Sequence, residues 1–339
     1  MKKKPVIAIT MGDPAGVGPE IILKSFLDAR VWQKGIAIVV GDYRVLKEAK
    51  ERLGINVEIR KVSNPEEAVG SIRGVPVLDM AMIGDMSLLP LGQVSSMGGN
   101  AAVQYVRKAV HLALSDVVQG IATAPINKAA INEAGFHYIG HTEMLSEMAQ
   151  REKAMTMFMV DQLKIFFHTR HMSLHQAIKT LTISGVSDTI VLAEKCLRAI
   201  GYEKSSLALA ALNPHASESG MFGVEEEKIL IPACEIARKK GVHVEGPLPA
   251  DSVFHLALEG KYGAVISLYH DQGHIAAKTY DFYRTVSVTL GLPFVRTSVD
   301  HGTAFDIAWQ GLASPLGMTE AILECFNLAE KYSPNLLSK

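Results

Sequence analysis

Nearly continuous apolar runs alternate with helical patterns along most of this chain, and few architectures satisfy that alternation. Val6–Thr10, Ile36–Gly41, Gly120–Ala124, Leu207–Leu212 and Ala264–Tyr269 are such runs. A strand that is apolar on both faces must be covered on both faces, as in a mostly parallel sheet flanked by helices. Tyr43–Leu53 has helical spacing and closes on Gly54. In Asn100–Leu114 the apolar residues Val103, Val106, Val110 and Ala113 recur at helical intervals, and Ile126–Ala134 stops at Gly135. Val186–Ile200, Glu225–Lys240 and Thr319–Lys331 read as long helices, and Val57–Val62 and Val75–Leu78 as further strands. Met155–Val160 and Leu163–Phe167 read as neighbouring strands joined through Asp161-Gln162. The expectation is an α/β fold, with the middle of the chain, about Phe136 to Val288, forming a second subdomain.

Composition removes several classes of function. The 34 basic and 35 acidic residues leave a net charge of −1, which makes no electrostatic case for nucleic acid or an acidic membrane. Lys2, Lys3 and Lys4 precede an apolar run of only Pro5 to Thr10, too short for a secretory signal. No run approaches the roughly 18 apolar residues of a membrane span. Cys196, Cys234 and Cys325 are odd in number and far apart, so reduced core thiols are expected. A cytoplasmic protein fits these features.

The densest chemistry lies between Tyr269 and Ala304. His270, His274, His301, Asp271, Asp300, Lys278, Arg284 and Arg296 are interleaved there with apolar runs. Buried charge has to be paired or placed to meet a ligand, so the segment reads as the wall of a site for an anionic, oxygen-rich substrate. Polar groups follow other strand-like runs too: Pro125-Ile126-Asn127-Lys128, Asn213-Pro214-His215 and His168-Thr169-Arg170-His171. Open α/β sheets bind ligands at the carboxyl ends of their strands. One histidine there is usually structural. Should the strand ends converge, His171, His215 and His270 would offer three imidazoles to a divalent metal with a position left open. Imidazole suits zinc, nickel or cobalt without choosing among them.

Two loops carry alternative readings. Thr10–Glu20 follows the first strand and precedes a helix, with Gly12, Gly16 and Gly18 spaced neither as GxGxxG nor as a P-loop. It is either a tight turn or a backbone N–H cradle for an anion, with Asp13 as its polar candidate. In Gly140-His141-Thr142-Glu143, Thr142 is either an N-cap or, with His141, a donor to substrate. Lys128, Lys278, Arg284 and Arg296 are candidates for phosphate or carboxylate, and Arg can bind either bidentately. The charged runs Lys47–Arg52 and Glu225–Lys228 read as solvated helix faces.

ITMGDPAGVGPEI, ATAPINK, GHTE, HMSL, LNPHA, GPLPADSVF, YHDQGH with Lys278, and LGLPFVRTSVDHGTAFDIA occur in that order. Together they resemble the 4-hydroxythreonine-4-phosphate dehydrogenases of the PdxA type, over nearly the whole chain. The resemblance implies an NAD-dependent dehydrogenase (NADP as the variant) of a 4-phosphorylated 3-hydroxy acid, with a divalent metal: Zn, Mg, Co, Mn or Ni. It implies oxidation at C3 followed by decarboxylation, in a homodimer whose site is shared. Carried over, the metal ligands are His171, His215 and His270. The substrate contacts are His141, Thr142, Lys278, Ser287 and Arg296, with Lys278 also moving the proton. Asp251, Leu290, Gly291 and His301 are the dinucleotide candidates.

The implied fold is two α/β/α subdomains with a cleft between them, like isocitrate and isopropylmalate dehydrogenases. Residues 1–135 with 289–339 would form one, and 136–288 the other. Ser287 stands where the family pattern usually has Asn, a shorter side chain without an amide. YHDQGHI and FDIAW look more like the branch acting on 4-phospho-D-threonate or 4-phospho-D-erythronate, which would yield dihydroxyacetone phosphate. The alternatives are 4-phosphohydroxy-L-threonine oxidation in vitamin B6 synthesis, an acyl- or phosphotransferase of related α/β fold, and a non-catalytic metal or phosphate-ligand sensor.

Overall fold

The computed structural model describes residues 4–68, 74–151, 154–202 and 206–337, so Lys2 and Lys3 lie outside the described residues. The fold is mixed α/β, and the chain divides into two compact units. One is Met1–Ala154 with Gly291–Glu330, the other Met155–Leu290 with Lys331–Lys339. Residues 136–154 therefore go with the first unit and 331–339 with the second, where the sequence had placed each on the other side. The packing explains both. A helix at His141–Met148 rests on the long helix Ser96–Leu114, and Ser333 N donates to Ala199 O at 2.8 Å.

The first unit holds strands β1 (Val6–Thr10), β2 (Ile36–Gly41), β3 (Ile59–Val62), β4 (Val75–Asp79), β5 (Gly120–Thr123) and β12 (Val295–Ser298). Their order is β3-β4-β2-β1-β5-β12, and every described pairing is parallel. Helices α1 (Gly18–Ser25), α2 (Ala29–Lys34), α3 (Tyr43–Leu53), α4 (Ser96–Leu114), α5 (Lys128–Glu133), α6 (His141–Met148) and α12 (Leu316–Ala329) accompany them. The apolar stripe of α4 behaves as its spacing requires: Val103, Val106, Val110 and Ala113 are all buried. Ser95 caps α4 through Gly98 N, and Asn127 caps α5 through Ala130 N at 3.0 Å.

The second unit holds β6 (Met155–Val160), β7 (Leu163–Phe167), β8 (Leu207–Ala210), β9 (Val244–Leu248), β10 (Ala264–Ser267) and β11 (Val286–Leu290). The order is β11-β6-β7-β10-β8-β9. β6 runs antiparallel to both β11 and β7, while β7, β10, β8 and β9 run parallel to one another. Its helices are α7 (Leu174–Lys179), α8 (Ile183–Ala199), α9 (Ile231–Lys239), α10 (Ala250–Leu258) and α11 (His270–Tyr280).

Two elements differ from expectation for local reasons. The histidine-bearing stretch after β10 was read only as polar residues between strands, yet it forms α11. A glycine at its second turn hides the helical signal. Gly273 is needed because a Cβ there would come within 2.5 Å of the Phe167 ring, so the helix lies close on β7. The run Glu225–Lys240 opens as a π-helical turn, Glu226–Leu230, before α9. Pro232, which lacks an N–H, follows that turn directly. Glu226 is consequently 1% exposed rather than solvated.

All three cysteines are free and buried, and burial pushes Cys196 and Cys325 up to about 12 and Cys234 to about 11. Such thiols are inert packing groups. Among the described residues no helix is long and apolar enough to cross a membrane.

Candidate active site

In the first unit, Arg296 on β12 is 5% exposed and directs Nε and Nη2 to Thr123 Oγ1 on β5, at 3.0 and 2.7 Å. The parallel pairing of β5 with β12 brings these side chains together. They line a cavity of about 160 Å³ with Lys128, His141, Ser298 and His301. His141 opens α6 behind Gly140, so Thr142 is not the cap; it sits in the first turn beside His141. The His141 ring Nε2 is closed off from solvent and has no hydrogen-bond partner among the described residues, although the residue as a whole is only half-buried. Burial, and then the charge of Arg296, hold this imidazole well below its usual range. A guanidinium, an ammonium and a neutral imidazole around one small cavity suit a phosphate-sized anion. His301, a dinucleotide candidate on resemblance, lines this same cavity.

In the second unit the relevant fact is strand order. β10 lies between β7 and β8, all parallel, so the segments carrying His171, His270 and His215 leave one edge of the sheet. His171 and His270 have ring centroids 5.8 Å apart. His270 Nδ1 meets Asp271 Oδ1 at 2.6 Å, which leaves its other ring nitrogen for a ligand. His215 stands apart, in a turn where His215, Ala216, Ser217, Glu218 and Ser219 all have φ between 45° and 71°. Among the described residues no group of three His, Cys, Asp or Glu side chains is gathered closely enough to hold a metal. The donor set nonetheless fits a divalent cation: imidazole nitrogens after adjacent strands, one ring backed by a carboxylate, with His215 on strained backbone of the sort that persists where a ligand is held.

The His215 turn is held by Glu226. Its Oε1 accepts from Leu212 N at 2.9 Å and Asn213 N at 2.7 Å, and its Oε2 from Asn213 Nδ2 at 2.8 Å. Glu226 escaped the sequence reading because it is one of three consecutive glutamates. The available signal was its spacing: Glu226, Leu230, Ala233 and Ala237 make one buried stripe. His168, from the same cluster as His171, turns instead to Thr189 Oγ1 at 2.8 Å and is structural.

Lys278 lies on α11 with Nζ 5.2 Å from the centre of the Phe282 ring. Ser287, 9% exposed, is opposite Phe158 in the β11–β6 pair. Leu290 is fully buried, backbone included, and Gly291 follows at φ 95°. Asp251 lines a separate cavity of about 540 Å³ with Tyr269, Asp271 and Gln272. Arg284 is tied to the neighbouring Asp281 at 3.4 Å.

The first loop proves to be a packed turn. Gly12 has φ 71°, and a Cβ there would sit 2.2 Å from Pro125 O. Asp13 N donates to Pro125 O and Val17 N to Thr303 O, so those N–H groups are spent within the protein. Asp13 is wholly buried; Oδ1 accepts from Ala15 N at 2.9 Å, Oδ2 has no partner, and burial raises its pKa to about 6.

The family model described as "Pyridoxal phosphate biosynthetic protein PdxA" matches residues 33–325. A protein of Clostridium botulinum (strain Hall) named "Putative D-threonate 4-phosphate dehydrogenase" is 47% identical over 334 residues, covering 98% of each chain. One of the same name from Fusobacterium nucleatum is 47% identical over 329 residues, covering 97% of each. The crystal structure of 4-hydroxythreonine-4-phosphate dehydrogenase from Klebsiella pneumoniae is 40% identical with a TM-score of 0.88, covering 97% of this chain and 99% of that one. On the family match and these identities, this chain belongs to the PdxA family.

Proposed function

We propose that the protein oxidises a 4-phosphorylated 3-hydroxy acid at C3, with NAD as hydride acceptor and a divalent metal, and that the resulting 3-keto acid loses carbon dioxide. The substrate we favour is 4-phospho-D-threonate or 4-phospho-D-erythronate, in keeping with the names of the relatives at 47% identity. The observation that carries the reading is the placement of His171, His270 and His215 after three adjacent parallel strands.

His171, His215 and His270 would hold the metal. When bound, a divalent cation stabilises negative charge on the reacting oxygens, and the dinucleotide takes the hydride. Arg296, Lys128 and His141 bind the phosphate. His141, kept neutral by its surroundings, adds a hydrogen bond without a charge that would need compensation. Lys278 takes the proton of the C3 hydroxyl as the C–H electron pair departs. Loss of the C1 carboxylate from the 3-keto acid, with a proton returned to C2, leaves dihydroxyacetone phosphate. Asp251, Leu290, Gly291 and His301 are the dinucleotide contacts we assign. A shared site in a homodimer is supported by exposed apolar side chains: Met172 at 43% and Leu174 at 53%, close after His171 in sequence, and Phe222 at 48%, whose ring centroid is 6.2 Å from that of His215.

The test is reduced-nicotinamide formation on 4-phospho-D-threonate, 4-phospho-D-erythronate and 4-phosphohydroxy-L-threonine, with bound metal measured in parallel. His171→Ala is expected to lose metal and turnover while remaining folded. A fully active, metal-loaded His171→Ala protein sinks the site assignment, and turnover of the third compound alone moves the enzyme to the vitamin B6 branch.

A further inference from the structure

Arg170 has no part in the function described so far, yet its surroundings are unusual for an arginine. It follows β7 and directly precedes His171. The backbone there is held down: His168 N donates to Ser267 O at 2.8 Å, Thr169 Oγ1 to Leu268 O at 2.8 Å, and Met172 N to Arg170 O at 2.6 Å. The half-buried guanidinium reaches Thr156 Oγ1 on β6, a neutral acceptor. Among the described residues no carboxylate pairs with it. A guanidinium withdrawn from water without an acid partner is costly unless something anionic arrives.

The strand register says what lies near it. Thr156 is opposite Thr289 in the β6–β11 pair, and Phe158 is opposite Ser287. Side chains two residues apart share a face, so Thr156, Phe158, Ser287 and Thr289 share one. Phe158 packs on the His274 ring at 4.3 Å, so this face is the one α11 covers. α11 carries His270, Lys278 and Asp271, and Asp271 already engages His270. Arg170, through its contact with Thr156, thus places a cation at this face.

We propose that Arg170 is a specificity-determining residue, which binds the carboxylate end of the substrate and rejects acids that carry an ammonium at C2. The inference rests on the dehydrogenase reading for its substrate and deepens it by selecting 2-hydroxy over 2-amino acids. A guanidinium a few ångströms from C2 repels an ammonium there by enough to shift affinity by on the order of tenfold to a hundredfold.

The experiment compares 4-phospho-D-threonate with its 2-amino-2-deoxy counterpart of the same configuration. Dissociation constants come from calorimetry and kcat and KM from nicotinamide reduction, on wild type, Arg170→Gln and Arg170→Lys. The wild type should prefer the hydroxy acid at least tenfold. Arg170→Gln should weaken hydroxy-acid binding, chiefly in KM, and reduce the preference about tenfold, while Arg170→Lys keeps the preference. A folded Arg170→Gln with the wild-type ratio overturns the proposal. Should that variant not fold, equal wild-type affinity for the two ligands overturns it as well. If both compounds bind the wild type and neither is oxidised, the dehydrogenase reading fails while the ratio of dissociation constants still judges Arg170. If neither binds, both readings fall.

Discussion

The rings of His270 and His274 are stacked, with centroids 3.6 Å apart and planes 12° from parallel. The two residues are one turn apart on α11, and the contact is reinforced from both ends. His274 Nδ1 meets His270 O at 2.9 Å, and its ring packs on Phe158 and Phe167 at 4.3 and 4.8 Å. His270 is fixed from the other side by Asp271. The ring therefore has one orientation, set by a neighbour that itself packs on the core residues Phe158 and Phe167.

This relationship makes His274 a positioning residue for His270. His274→Ala removes the stacking surface and should lower the affinity of the protein for divalent metal by about tenfold or more, the usual cost of losing a group that orients a ligand. His274→Phe keeps a flat ring over His270 and should recover most of the affinity. Competition with a metal-binding dye reads this without reference to turnover. Equal affinities in His274→Ala and wild type would remove His274 from the site.

Glu226 allows a similar test on the third imidazole. Its carboxylate takes three N–H donors from Leu212 and Asn213, just ahead of the left-handed turn bearing His215. Each non-glycine residue in that conformation costs roughly 1–2 kcal/mol, so the turn needs an external hold. Glu226→Gln replaces one acceptor oxygen with a donor and should cost about 1–3 kcal/mol. The loss should appear in metal affinity as well as in the thermal midpoint of the metal-free protein. A lower midpoint with unchanged metal affinity would mean that Glu226 serves the fold alone.

That His171, His215 and His270 each come after a buried strand was legible in the sequence, and the strand order sets the three strand ends side by side. Arg296 was legible from its place in a charged segment interleaved with apolar runs, where a buried charge has to face something. What stayed hidden depends on contacts that pattern does not encode. α11 was obscured by Gly273, whose missing side chain makes room for Phe167. Glu226 looked solvated until the π-turn rotated it inward. The first loop resembled an anion cradle because glycine spacing cannot distinguish an approach to phosphate from an approach to Pro125 O.

Asp13 yields a prediction about pH. It is wholly buried, with one oxygen bonded to Ala15 N and the other unpartnered, and burial raises its carboxyl from 3.8 to about 6. The folded state thus holds this proton more tightly than the unfolded chain does. Its contribution to stability is full below the unfolded value and is lost as pH rises through the folded one, a swing of about 3 kcal/mol. Asn at this position can still accept from Ala15 N but cannot ionise. Near pH 4 the aspartic acid and the asparagine should therefore differ little; near pH 7 Asp13→Asn should be the more stable by up to about 3 kcal/mol, less the cost of placing an amide N–H where no acceptor waits. Thermal midpoints of the two proteins, measured across that interval, decide the matter. The gap must widen steadily with pH, and a constant gap would mean that Asp13 is ionised or neutral in both states alike.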